Sequence, residues 1–111
     1  MVNRSVLIVK KKEPFRQWVK SLPDPDDITL EELNEDTTAY LVPVCVDDDQ
    51  RDRILRRIFK VIFEDRLNGW WLDENYWPVK RDLATFKQWF SVEFHSEVVD
   101  VVNSKLISEE D

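Results

Sequence analysis

The chain has 111 residues, one glycine, five tryptophans and a formal net charge of −7. Glycine averages ~7% of residues in proteins, so this near-absence excludes glycine-rich phosphate loops and a dinucleotide-binding fingerprint. Five Trp, six Phe and two Tyr argue for a packed core despite 35% charged residues, and the acidic surplus argues against nucleic-acid binding.

Reading from the N-terminus, residues 5–9 are short and rich in β-branched side chains, which predicts a strand apolar on both faces. Pro14 suits the first turn of a helix, and Phe15, Trp18, Val19 and Leu22 then fall on one helical face. Pro23 stops that helix, and Pro25 among Asp24, Asp26 and Asp27 makes a stiff turn. Thr29 and Glu32 form a capping-box pattern with Ile28 and Leu33 placed as a hydrophobic staple, predicting a short helix over 30–35. Residues 38–46 read as a second strand, at an edge or bulged because Pro43 has no N–H to give to a ladder.

A long helix follows. Asp47 and Gln50 make a second cap pattern, with Asp48 and Asp49 at the positive end of the helix dipole. Ile54, Leu55, Ile58, Phe59, Ile62, Phe63 and Leu67 form one apolar stripe. Asn68 and Gly69 close the helix, and the expected conformation of the single glycine there is left-handed, making a β-branched replacement costly. Residues 70–79 are an aromatic connector, Asp82 caps a last helix with Leu83, Phe86, Trp89 and Phe90 on its core face, and residues 91–102 alternate as a long strand with a bulge near Val98.

The expected architecture is a single α+β domain over 1–102 in the order β-α-α-β-α-α-β. It has about three strands in a mixed or antiparallel sheet, with helices mainly on one face. Residues 103–111 are read as a separate tail, because KLISEED from Lys105 to Asp111 resembles the core of the myc epitope tag, and it is set aside as an epitope-tag-like remnant. No apolar run is long enough for a transmembrane helix. The single Cys45 has no partner for an internal disulfide, and the run 6–9 precedes rather than follows its lysines, unlike a secretory signal. Both readings place the chain in the cytoplasm.

Charge is distributed unevenly. Residues 1–20 carry six bases and one acid, residues 21–50 ten acids and no base, and residues 51–60 five bases and one acid. This pattern reads either as solvated acidic loops beside basic helix faces or as an acidic surface for a cationic partner. One histidine rules out multi-histidine zinc sites. Glu93, His95 and Glu97 share a face if the last strand is regular, which makes them weak candidates for a metal or for enzyme chemistry; the alternative is a solvent-facing polar stripe. Cys45 and His95 could pair as nucleophile and base, but the charged groups near Cys45 are acids, and a buried structural thiol is the simpler reading. No nucleophile elbow, Walker pattern or metalloprotease helix occurs, no cofactor is implied, and the balance leans against an enzyme.

The best candidate for recognition is the connector, where Trp70, Trp71, Tyr76 and Trp77 surround Asp73 and Glu74. Such a segment suits a protein partner, a second copy of the chain included. It also suits a small cationic ligand held against aromatic faces by Asp73 and Glu74, or simple packing between two helices. The leading expectation is a non-enzymatic interaction or accessory protein.

Several short stretches carry a resemblance: NRS from Asn3, PFRQW from Pro14, AYLVP from Ala39, WWLDENYWP from Trp70, FKQWF from Phe86 and EFHS from Glu93. Together they resemble a group of small uncharacterised bacterial proteins across roughly residues 3–100. The resemblance implies a bacterial, cytoplasmic protein and transfers no activity, ligand or catalytic residue.

Overall fold

The computed structural model describes residues 3–102. Strand β1 (Ser5–Lys11) lies between β2 (Thr38–Val42) and β3 (Phe90–His95) and is antiparallel to both, in the order β2-β1-β3. The pairing direction that periodicity leaves open is thus antiparallel throughout. Helices α1 (Glu13–Lys20) and α2 (Leu30–Leu33) connect β1 to β2. Helix α3 (Asp48–Asn68), a 3₁₀ turn (Glu74–Tyr76) and α4 (Leu83–Trp89) connect β2 to β3. No helix among the described residues is long and apolar enough to cross a membrane.

The two faces of the sheet differ because β side chains alternate. Leu7 and Val9 of β1 align with Tyr40 of β2 and with Phe94 and Val92 of β3 on the face that joins the core. The opposite face carries Val6, Ile8 and Lys10 between Ala39 and Leu41 on one side and Ser91, Glu93 and His95 on the other. The core is dominated by aromatic rings. Phe15, Phe63, Phe86 and Phe90 are almost completely buried, and Phe90 stands 5.5, 5.3 and 5.0 Å from Phe15, Phe63 and Phe86 respectively. Phe90 occupies that position because α4 passes directly into β3, with the Trp89 carbonyl accepting from the Lys12 N–H at 2.8 Å.

The caps form as their spacing implies. Thr29 Oγ1 accepts from the Glu32 N–H while the Glu32 carboxylate accepts from the Thr29 N–H, a complete capping box. Asp47 and Asp82 accept from the N–H groups of Gln50 and Thr85 at the starts of α3 and α4. Where β2 no longer covers β1, a side chain takes over. Asn34 accepts from the Lys11 N–H at 2.8 Å and donates to the Lys11 carbonyl at 2.9 Å, satisfying two backbone groups an extra strand residue would otherwise meet. Ser5 does similar work for the loop after β2, accepting from the Cys45 N–H at 3.0 Å inside the core.

Three expectations need correction. The last strand ends at His95, and residues 96–102 form no regular element. His95 is opposite Val6, close to where β1 begins, so the chain beyond it has no ladder to join and no bulge arises near Val98. β2 likewise stops at Val42, one residue before Pro43, rather than continuing to 46, and its edge position agrees with that proline. Gly69 adopts φ −67° and ψ −19°, an ordinary right-handed helical geometry. A Cβ there would meet only the Arg66 and Asp65 carbonyl oxygens at 3.6 and 3.7 Å, normal contact distances. Gly69→Ala is therefore expected to raise stability by about 0.4–1 kcal/mol through lost freedom in the unfolded chain, read as a higher urea midpoint. A lower midpoint would show that the position does need glycine.

Among the described residues, four carboxyls are held below their ordinary range. The Gln17 amide donates to Glu13, the Thr29 N–H to Glu32, and the Thr85 hydroxyl to Asp82. Burial pushes Asp65 up, but the Tyr40 hydroxyl, at 2.6 Å, and the Arg66 guanidinium outweigh it. Each group binds its proton more weakly folded than unfolded. The stability they contribute is present above the unfolded carboxyl values near ~4 and is lost as pH falls through the lower folded values. The urea midpoint is expected to hold from pH 7 to 5 and to fall between pH 4 and 2; a flat profile down to pH 2 would contradict this.

Candidate functional site

The aromatic connector begins where α3 runs out of helix. The N–H groups of Trp70 and Trp71 both donate to the Leu67 carbonyl at 3.0 Å, which turns the chain tightly off the helix end. Asp73 then accepts from the Asn75 N–H and starts the 3₁₀ turn. Two indoles hold this backbone in place. Trp77 Nε1 donates to the Trp71 carbonyl at 2.7 Å, and Trp18 Nε1, reaching across from α1, donates to the Tyr76 carbonyl at 2.8 Å. The connector is therefore an ordered loop with polar bonds to buried anchors.

The four aromatic residues of the segment divide into two roles. Trp77 is 9% exposed and belongs to the core, with the Arg81 guanidinium 5.7 Å from its ring. The sequence grouped it with the exposed rings, but its burial makes it an anchor for the connector. Trp70 and Trp71 are half-buried, Tyr76 is exposed, and Trp71 meets Tyr76 edge-on at 5.8 Å. Leu72 between them is 77% exposed. Trp70 and Trp71 form the shared wall of two depressions. One, of about 300 Å³, is also lined by Val19, Leu22, Asp24, Pro25 and Asp26. The second, shallower one, of about 600 Å³, includes Pro23, Leu72, Asp73 and Tyr76.

The carboxylates are placed differently from the sequence expectation. Asp73 is occupied in capping the 3₁₀ turn, and Glu74 is exposed within that turn. Asp24 and Asp26, exposed in the stiff turn around Pro25, line the narrower depression with the two tryptophans. Neither makes an ion pair with a described residue. The composition did carry a signal for this, since residues 21–50 contain no base to neutralise them.

The other candidates scatter. His95 Nε2 stands 3.1 Å from Glu93 Oε1 on the uncovered sheet face, and Lys10 Nζ is 3.6 Å from the same carboxylate. Glu97 lies beyond the end of β3, so the triplet does not share a regular strand. Among the described residues no group of three or more His, Cys, Asp or Glu stands close enough to hold a metal ion. Cys45 is fully buried in the core and bonded through its backbone to Ser5, whereas His95 is exposed on the far side of the sheet, so the two do not meet. No family model matches the chain, and no curated protein or solved structure matches it.

Proposed function

We propose that the protein is a non-enzymatic interaction or accessory protein that docks a protein partner on the ridge formed by Trp70, Trp71 and Tyr76. The observation that carries this reading is the hydrogen-bonded backbone beneath those rings. They stay at the surface while two buried indoles bond to the backbone beneath them. Aromatic groups fixed in advance lose little entropy on binding and serve well as anchors. The buried single thiol fits a reducing, cytoplasmic setting.

The test compares proteins retained from a cell extract by the wild-type chain and by the double variant Trp71→Ala/Tyr76→Ala, after circular dichroism shows both folded. Loss of a retained partner in the variant is the expected result. Identical retention by both chains would remove the ridge as the docking surface.

A second reading concerns self-association. The sheet face opposite the helices presents Val6 and Ile8 beside Leu41, which is 58% exposed. A second copy could cover that face. Sedimentation at two protein concentrations should then show a dimer that Leu41→Lys abolishes; a monomer at both concentrations would end this reading.

A further inference from the structure

We propose that the groove between the Leu22–Asp26 turn and Trp70–Trp71 receives a basic side chain, lysine or arginine, from a peptide segment of the protein partner. This rests on the docking reading above and adds the chemistry of what is docked. Four observations support it.

The first is the pairing of wall types. Two tryptophans and two exposed aspartates line the same groove, so a cation seated there gains from both ring quadrupole and carboxylate charge. The second is that no described residue supplies the site with a cation. Three other aromatic rings are each faced by an internal base: Phe15 by Lys11, Tyr40 by Arg66 and Trp77 by Arg81. No such contact occurs at Trp70 or Trp71 among the described residues, and Asp24 and Asp26 have no ion-pair partner there either.

The third is size. At about 300 Å³ the groove lies at the small end of the ~300–1,000 Å³ range of ligand sites, suited to one side chain. The fourth favours a peptide over a free ammonium ion. The same two tryptophans continue into the neighbouring depression, where Pro23, Leu72 and Tyr76 offer apolar surface. A free small cation would leave that surface uncovered, while the residues flanking a basic side chain in a peptide would lie across it. Pro23 and Pro25 restrict the acidic turn, and the anchored connector restricts the aromatic wall, so neither side must be ordered on binding.

The experiment titrates the full chain with three probes, following tryptophan fluorescence and indole N–H shifts. The first is an end-capped pentapeptide with a central arginine flanked by leucine and alanine. The second is the same peptide with citrulline, a neutral isostere, at the centre. The third is tetramethylammonium chloride. The arginine peptide should bind, with indole shifts confined to Trp70 and Trp71. Affinity should drop about tenfold or more for the citrulline peptide and for the arginine peptide with Asp24→Asn/Asp26→Asn, a change near one and a half kcal/mol. Raising salt should weaken the arginine peptide and leave the citrulline peptide unchanged. Equal binding of the arginine and citrulline peptides, or no binding of the arginine peptide, overturns the proposal. Tetramethylammonium binding as tightly as the arginine peptide overturns the peptide assignment. In each of these cases extract retention that still depends on Trp71 and Tyr76 leaves the docking ridge standing, so the two readings fail separately.

Discussion

Phe63→Ala is expected to lower the free energy of unfolding by about 3–5 kcal/mol, a large share of the 5–15 kcal/mol typical of a domain. Phe63 is completely buried and makes aromatic contacts with Phe86, Trp89 and Phe90 at 6.0, 5.5 and 5.3 Å. Removing the ring costs its transfer energy and also leaves a cavity that three rigid neighbours cannot fill without leaving their rotamers. The site joins α3, α4 and the start of β3, so the loss reaches the contact that places the last strand. Guanidinium unfolding followed by circular dichroism would measure it. A loss below about 1 kcal/mol would mean that the helices collapse freely into the space and that the aromatic core is not tightly packed.

Trp77→Ala is expected to cost a similar 3–5 kcal/mol, whereas Trp70→Ala and Trp71→Ala should each cost clearly less. The three tryptophans lie within eight positions of one another but do different work. Trp77 is buried, bonds to the Trp71 carbonyl and carries the Arg81 guanidinium on its face. Its loss removes core volume, leaves the Trp71 carbonyl without that donor and releases the connector. Trp70 and Trp71 are only partly covered, so less apolar surface returns to water when they are truncated. Thermal or denaturant unfolding of the three variants gives the order directly. Equal losses at all three positions would show that the ridge is part of the core, which would weaken its assignment as a docking surface.

The contrast among these tryptophans shows what could be read from the chain. The capping box at Thr29 and the caps at Asp47 and Asp82 were legible because each depends on groups within three or four residues. The α3 stripe was legible for the same reason, and Leu55, Ile62, Phe63 and Leu67 are indeed its buried members. The expected left-handed glycine failed because a glycine just past a helix only permits that conformation. Here the N–H groups of Gly69, Trp70 and Trp71 find acceptors in the last turn of α3 while Gly69 stays right-handed. The long final strand failed because alternation reports a capacity to pair, and no strand lies opposite residues 96–102.

Composition and local spacing were thus enough to define the α+β class, the element order, the helix starts and the aromatic nature of the core, since these follow from side chains a few positions apart. Strand order, antiparallel pairing and the sorting of tryptophans into anchors and ridge depend on contacts between residues distant in the chain. Trp18 reaches the Tyr76 carbonyl from α1, and Asp24 and Asp26 line one groove with Trp70 and Trp71. No periodicity encodes such a meeting, because it arises when helices separated by a strand pack on one sheet face and their connecting turns come side by side.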